Sequence, residues 1–201
     1  MIGTTYEHAD RGALLLVDLQ YDFMPGGALG IKGGDELIPV INRITEFFSL
    51  VIASRDCHPA DHVSFAHFPP HCVVGTKGAE LVEGLNRKKI TKYVLKGEDP
   101  RVDSYSVFFD NEKKKKSCLD RFLRERHVRD LYVAGLATDY CVLETVLDGI
   151  ALGYEVTVIA DACRALEAEE GDEKRALERM CLRGAHIITS EALPVLVSHT
   201  A

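Results

Sequence analysis

The sequence predicts a three-layer α/β/α fold built on a mostly parallel, six-stranded, Rossmann-like sheet. Short apolar runs alternate along the chain with stretches of helical periodicity, an order typical of βαβ units. The runs are continuous and often β-branched, which indicates strands covered on both faces. The 201 residues contain no repeat, linker or low-complexity segment, so we expect one domain over residues 1–201.

The candidate strands come first, because their ends locate the chemistry. They are Ala13–Val17, Leu50–Ser54, Tyr93–Leu95, Leu131–Ala134, Val156–Ala160 and Ala185–Thr189. Polar or glycine residues follow within two positions, among them Asp18, Asp56, Lys96 and Gly135. Open parallel sheets bind ligands beyond the carboxyl ends of their strands. We therefore expect these residues to gather at one edge of the sheet.

Four segments between the strands have apolar residues at helical spacing. They are Asp35–Phe48, Leu119–Glu125, Thr138–Leu152 and Glu170–Arg183. One stretch, residues 56–78, breaks the alternation with prolines and histidines. A long connection without periodicity of its own is usually functional, so we expect it to carry part of the site.

Composition excludes several classes of partner. The chain has 24 basic and 31 acidic side chains and a net charge of −7, which disfavours nucleic acid and anionic membranes. No apolar run approaches the roughly 20 residues that span a bilayer. Residues 1–12 lack the features of a secretion signal, and the six cysteines contain no C-x-x-C pair. We predict free thiols and a cytoplasmic location, and we leave a homo-oligomer open.

Cys141 is the candidate nucleophile. It follows a strand and a Gly135 turn, and Thr138 or Asp139 is placed to cap the next helix. In the first turn of that helix the dipole would lower the pKa of the thiol, and free N–H groups could stabilise an oxyanion. A buried cysteine alone is more often a core residue. Asp18 and Lys96, at two further strand ends, supply the proton carrier and the cation that a thiolate needs.

Asp56, His58 and His71 are the candidate metal ligands. In an extended segment the side chains at i and i+2 point the same way, which pairs Asp56 with His58. One carboxylate and two imidazoles suit a divalent ion with open positions. A loop of solvated histidines is the alternative, although half of the chain's eight histidines fall in this stretch. Further ligands in the loop stay open; the candidates are His62, Ser64 and His67.

Five segments in order along the chain carry a resemblance to a known family. They are Val17–Gln20 with Asp22–Phe23, Ser54–Pro59 with His62, Ser64 and Pro70–Val73, Lys96–Gly97 with Asp103–Ser106, Gly135–Val142, and Asp161–Arg164. Together they resemble the nicotinamidase branch of the isochorismatase-like cysteine hydrolases. The resemblance runs from about residue 14 to residue 190. Five ordered motifs are much more specific than any one of them.

The resemblance implies which residues act. Asp18, Lys96 and Cys141 would form a catalytic triad. A cis peptide before Ala137 would aim the amides of Ala137 and Cys141 into an oxyanion hole. Asp56, His58 and His71 would hold one divalent metal ion, with zinc in first place and iron or manganese as alternatives.

The resemblance also implies a reaction: nicotinamide is hydrolysed to nicotinate and ammonia through a thioester, in NAD salvage. Phe23 and Phe68 would grip the pyridine ring. The family often has an aromatic residue where Cys57 stands and Trp where Phe68 stands, and this chain has no Trp. We expect a changed pocket wall and retained activity. Two alternatives stay open: hydrolysis of another small amide by the same family, and a non-catalytic metal-binding or thiol-sensing protein.

Overall fold

Six parallel strands form one sheet in the computed structural model, which describes residues 12–193. The strands are β1 (Gly12–Val17), β2 (Val51–Asp56), β3 (Ile90–Lys96), β4 (Asp130–Leu136), β5 (Glu155–Arg164) and β6 (His186–Ile188). Their order across the sheet is β3-β2-β1-β4-β5-β6, and every pair is parallel. The predicted fold class is confirmed. The ends of the predicted domain, residues 1–11 and 194–201, lie outside the described residues.

Within residues 12–193, four α-helices pack on the two faces of the sheet: α1 (Leu37–Thr45), α2 (Leu119–Arg124), α3 (Leu143–Ala151) and α4 (Asp172–Leu182). The N-terminal boundary of α3 differs from the prediction. The helix expected from Thr138 begins only at Leu143, and Thr138–Val142 forms a π-helical turn in front of it. Among the described residues, no helix has the length and apolar character to cross a membrane.

Alternate residues of β1 define the two layers of core. Ala13, Leu15 and Val17 share one apolar cluster with residues of α2, α3 and α4, such as Leu123, Val146 and Met180. Leu14 and Leu16 belong to the other cluster, with Leu37, Ile41 and Ile44 of α1. Every residue of β1 is buried. The sheet is therefore covered on both faces at its centre, as the unbroken apolar run predicts.

Strand β3 departs from that prediction. It lies at the edge of the sheet, and burial alternates along it, with Tyr93 and Leu95 exposed and Val94 and Lys96 buried. The short apolar run Tyr93–Leu95 does not reveal this alternation, because its exposed residues are themselves apolar.

The topology brings the ends of β1 and β4 together. The chain proceeds from β1 to β2 and β3 on one side and then returns to form β4 on the other side of β1. Ligands bind at such a switch point in open α/β sheets. Val17 pairs with Gly135 there. Gly135 has φ +126°, and a Cβ on it would overlap the backbone of Val17, so only glycine lets the strand ends approach this closely.

Candidate active site

Lys96, the last residue of β3, connects the predicted chemical groups. Its Nζ lies 2.8 Å from Oδ2 of Asp18 and 2.6 Å from Oδ1 of Asp56. The same ammonium donates to the carbonyl oxygen of Ser104 at 2.9 Å and to Sγ of Cys141 at 3.4 Å. All four side chains that meet here, those of Asp18, Asp56, Lys96 and Cys141, are buried. The structure thus brings the three residues of the expected triad together, and it adds a candidate metal ligand to the same cluster.

Asp18 is held by a serine that sequence analysis missed. Ser54 of β2 donates its hydroxyl to Oδ1 of Asp18 at 2.7 Å and accepts the Asp18 backbone N–H at 3.2 Å. Asp18 itself has a left-handed backbone, with φ +51°. In the sequence Ser54 ends an apolar run and lies in a segment that carries the resemblance, but neither signal names its partner.

Burial and the lysine set the ionisation of the cluster. Burial lowers the pKa of Lys96, but the carboxylates of Asp18 and Asp56 outweigh burial and hold that pKa well above its ordinary value. Lys96 therefore stays an ammonium. Burial raises the pKa values of Asp18 and Asp56, and the nearby ammonium opposes this rise. Two carboxyl groups with raised pKa values around one ammonium are suited to taking up and releasing a proton.

The thiol of Cys141 differs from the expectation of a lowered pKa. Burial raises the pKa of its thiol well above the ordinary value, and the attraction of Lys96 only reduces the rise. Cys141 does lie in the first helical turn, but this turn, Thr138–Val142, is π-helical, and α3 follows it from Leu143. Since desolvation outweighs the ammonium, the resting group is a thiol, and thiolate must form by transfer of its proton to a neighbour.

The predicted caps of that turn are also wrong. Ala137 precedes the turn, and no side chain caps it. Thr138 instead donates to Oε1 of Glu173 at 3.3 Å, and the Asp139 carboxylate accepts two N–H groups of another loop. The Leu136–Ala137 peptide bond is cis, as the resemblance implies.

Asp56, His58 and His71 converge next to the lysine cluster. One ligand atom from each lies within 4.8 Å of the others, and all three side chains are buried. Nδ1 of His58 lies 3.1 Å from the carbonyl oxygen of Gly97, and Nδ1 of His71 lies 2.8 Å from that of Pro69. Since a carbonyl only accepts, both Nδ1 atoms carry protons and both Nε2 atoms are free to bind. This donor set fits a divalent ion such as zinc.

Gln20, also missed from the sequence, fixes the backbone of Asp56. Its Nε2 donates to the carbonyl oxygen of Asp56 at 2.8 Å, and its Oε1 accepts the Asp56 N–H at 2.7 Å. Gln20 is fully buried. The buried amide therefore links the loop after β1 to the candidate metal site.

His62 lies beside this site, while His67 is exposed. The rings of His58 and His62 stack with centroids 4.0 Å apart. Nδ1 of His62 accepts the Ser64 N–H at 3.3 Å and lies 2.8 Å from the Ser64 hydroxyl. Nε2 is buried without a hydrogen-bond partner among the described residues, and His62 forms a second close group with His58 and Asp103. With Nδ1 accepting the Ser64 N–H, Nε2 carries the ring proton and is a donor, so His62 offers no lone pair to a metal ion in this tautomer.

A narrow pocket opens onto both groups. Cys141 and Ala137 line it together with Asp56, His58 and His71. Apart from Asp103, its remaining walls are apolar or aromatic. They are formed by Phe23, Leu29, Ile31, Phe68, Tyr105, Tyr140 and Leu166. A more open depression lies along β3 and contains neither Cys141 nor the histidines.

Both predicted aromatic residues line the pocket. The ring centroids of Phe23 and Phe68 lie 5.7 Å and 6.0 Å from that of His71. Tyr140 contacts Phe68 and Tyr105, at 5.7 Å and 5.6 Å, and extends the aromatic wall. Neither tyrosine is among the predicted site residues, although both lie within the segments that carry the resemblance. Burial, with smaller effects of nearby acidic groups, raises the pKa of Tyr105 to about 12, so its hydroxyl stays protonated.

Fold and site together define the class of this protein. Residues 12–192 match the family model described as the isochorismatase domain. This match covers most of the chain, and the chain belongs to the isochorismatase family.

Within the family, the chain is similar to named enzymes. It is 44% identical over 200 residues to the nicotinamidase of Escherichia coli, a match that covers 88% of this chain and 94% of that one. PnC1 from L. infantum, solved in complex with nicotinate, is 31% identical with a TM-score of 0.88, covering 95% and 98% of the two chains. The pyrazinamidase of Pyrococcus horikoshii, solved in complex with zinc, is 38% identical with a TM-score of 0.79, covering 89% and 99%.

Proposed function

We propose that this protein is a nicotinamidase, a metal-dependent cysteine amidohydrolase that converts nicotinamide and water to nicotinate and ammonia. One observation carries the proposal: the Lys96 ammonium contacts Asp18, Cys141 and Asp56, and the last two of these line an aromatic pocket. A nucleophile, a proton carrier and a candidate metal carboxylate are thereby within reach of one small substrate. The product returns a pyridine ring to NAD synthesis, which makes the reaction a salvage step.

The relatives support the choice of substrate. The Escherichia coli enzyme at 44% identity is named a nicotinamidase, and the L. infantum protein was solved with nicotinate. Nicotinate is the acid that the proposed reaction would form. The zinc in the Pyrococcus horikoshii structure supports a divalent ion at Asp56, His58 and His71.

The pocket walls suggest how the substrate binds. Phe23 and Phe68 would grip the faces of the pyridine ring, and Tyr140 extends the wall beside Phe68. A divalent ion on Asp56, His58 and His71 would supply a Lewis acid for the pyridine nitrogen. With the nitrogen at that end, the 3-carboxamide extends toward Cys141, and this orientation lowers the entropy cost of attack.

Acylation begins with proton transfer from the Cys141 thiol to Asp18. The raised pKa of Asp18, which burial causes, equips it to accept that proton. A carboxylate oxygen of Asp18 lies within 4.8 Å of Sγ, and the Lys96 ammonium next to both stabilises the thiolate. Sγ attacks the amide carbon, and the amides of Ala137 and Cys141 stabilise the oxyanion. Asp18 then gives its proton to the nitrogen, the C–N bond breaks, and ammonia leaves.

Deacylation uses the same residues in reverse order. Asp18, again a carboxylate, takes a proton from water, and the hydroxide attacks the thioester carbon. The C–S bond breaks, the proton on Asp18 returns to Cys141, and the nicotinic acid formed loses its own proton to solvent or ammonia as nicotinate. Lys96 stays an ammonium throughout and balances whichever neighbour is ionised.

The alternatives explain fewer features. A family member that hydrolyses another small amide without a metal would have no need for the free Nε2 atoms of His58 and His71. A thiol sensor needs an accessible thiolate, whereas Cys141 is buried with a raised thiol pKa. The single domain, the cytoplasmic location, a homo-oligomer and the lack of nucleic acid or membrane partners stay predictions.

The test is ammonia release from nicotinamide by the purified protein. We expect Cys141→Ala to reduce turnover to background, because the thioester cannot form. Cys181→Ala is the matched control, since Cys181 is an exposed free cysteine on α4 and should not affect the rate. Turnover that persists in Cys141→Ala would exclude the thiol as nucleophile, and an inactive wild-type protein would exclude the proposed activity.

A further inference from the structure

The loop between β5 and α4 supplies one wall of the pocket. Leu166 lies in this loop and is the residue through which it lines the pocket. Its neighbour Glu167 is exposed and has a left-handed backbone, with φ +53°. An exposed loop with such a backbone needs a specific anchor if Leu166 is to keep one position.

Asp139 provides that anchor. Its Oδ1 accepts the N–H of Leu166 at 3.0 Å, and its Oδ2 accepts the N–H of Glu167 at 3.0 Å. Two successive backbone donors thus share one carboxylate, and such charge-assisted bonds are stronger than neutral ones. No ion pair of Asp139 with a basic side chain occurs among the described residues, so its charge is directed to the loop.

Asp139 also belongs to the turn that carries the nucleophile. It lies between Thr138 and Tyr140 in the π-helical turn, two residues before Cys141. Tyr140 and Cys141 line the same pocket as Leu166. One carboxylate therefore links the turn that carries the nucleophile to the loop that carries Leu166.

We propose that Asp139 is a positioning residue that determines substrate specificity: it holds Leu166 in place as the wall that limits the pocket to a single planar ring. This inference rests on the proposed function. Asp139 touches no reacting atom, and it acts only through the position of Leu166. Loss of the anchor should therefore weaken ring binding and relax size selection, with little effect on the chemical step.

The kinetic test uses Asp139→Asn with two carboxamides, nicotinamide and its fused two-ring homologue quinoline-3-carboxamide. Leu166 and Glu167 donate to different oxygens of Asp139, and Asn replaces one of these oxygens with an NH2 group, which cannot accept. We expect KM for nicotinamide to rise about tenfold with kcat nearly unchanged, and the preference for nicotinamide to fall by about tenfold. An equal loss of kcat/KM on both substrates, with preference unchanged, would overturn the proposal.

Two further variants separate positioning from general loop stability. Asp172→Asn is the matched control, because Asp172 accepts the N–H of Glu169 at 2.8 Å in the same loop and does not line the pocket. It should leave both KM and preference unchanged. Leu166→Ala should reproduce the loss of preference, and adding Asp139→Asn to it should cause no further loss, since both act through one wall. Additive losses would contradict an action through Leu166.

Amide hydrogen exchange tests the anchor without any substrate. In Asp139→Asn the N–H groups of residues 166 and 167 should exchange at least about tenfold faster, because each lost bond opens the loop locally. Asp172→Asn should leave those two amides protected. Unchanged protection in Asp139→Asn would refute the anchor, whereas a wild-type protein inactive on nicotinamide would refute the proposed function and leave this result interpretable.

Discussion

Lys96 connects two groups of residues that serve different purposes. Its ammonium lies within 2.8 Å of Asp18 and 2.6 Å of Asp56, which belong to the proton-transfer site and to the candidate metal site. Two buried carboxyl groups share one cation, so protonation of either changes the field at the other. Their titration therefore belongs to the cluster as a whole. A change at the metal side will affect the nucleophile through this lysine.

At the residue scale, Asp18→Asn should make the protein more stable at pH 7 and inactive. Burial raises the folded-state pKa of Asp18 above its ordinary value of 3.8. The protonated Asp18 therefore contributes to the free energy of unfolding, and this contribution is complete below pH 3.8. It is lost as the pH rises through the folded-state pKa. The neutral Asn retains that contribution at pH 7, which we expect to be worth about 1 kcal/mol. Thermal unfolding at pH 7 and pH 4 measures the gain.

Lys96→Met gives the opposite result in the same measurement. It leaves the buried carboxylates of Asp18 and Asp56 without their cation, which should cost about 3–5 kcal/mol of stability.

The gain from Asp18→Asn should shrink toward pH 4, where Asp18 of the wild-type protein becomes protonated. A variant Asp18→Asn that is less stable than wild type at pH 7 would contradict this view of the cluster.

The sequence predicts these reactive residues better than their supports. Asp18, Lys96 and Cys141 follow strands, and parallel strands end at one edge, so their proximity follows from topology. Ser54 and Gln20 could not be found in this way. Their roles depend on which strands are neighbours and on the direction of a side chain inside the core.

At the element scale, the end of β3 supports His58. Gly97 follows β3 with φ +66°, and a Cβ on it would lie 2.5 Å from Cε1 of His58. The carbonyl oxygen of Gly97 also accepts from Nδ1 of that ring. Glycine at this turn thus allows the ring to lie against the backbone that fixes its tautomer, with Nε2 free.

Gly97→Ala should therefore weaken metal binding. The added Cβ must displace the His58 ring, and loss of support behind a ligand typically reduces metal affinity by 10–100-fold. Titration of the metal-free protein with zinc measures the effect. Gly153→Ala is the control, because Gly153 has φ +89° and no atom within 4 Å of an added Cβ. Both substitutions place Ala at a positive φ, so the backbone strain is similar in the two variants. Equal zinc affinities of the two variants would show that the contact of residue 97 with His58 is unimportant.

The π-helical turn explains why one predicted helix begins late. The carbonyl oxygen of Ala137 accepts N–H groups from both Tyr140 and Val142, which widens the turn. The side chains of Thr138 and Asp139 bond to α4 and to the loop before it. These are tertiary contacts, and helical periodicity in the sequence contains no information about them.

At the scale of the whole molecule, the sheet order places the site. The sequence predicts parallel strands from unbroken apolar runs, and the match to the isochorismatase domain over residues 12–192 agrees. It does not predict which strands lie side by side. The switch between β1 and β4 follows from strand order, and it sets Asp18 beside the cis peptide of Ala137.

Zinc should stabilise the whole fold, because a ligand that binds only the folded state raises its stability by mass action. At a free concentration 100 times Kd the gain is about 2.7 kcal/mol, which raises Tm by roughly 5–10 °C for a chain of this size. His71→Ala should lose this shift, whereas His186→Ala, an exposed histidine of β6, should retain it. A shift retained in His71→Ala would place the ion elsewhere, and no shift in the metal-free wild-type protein would exclude a tight zinc site.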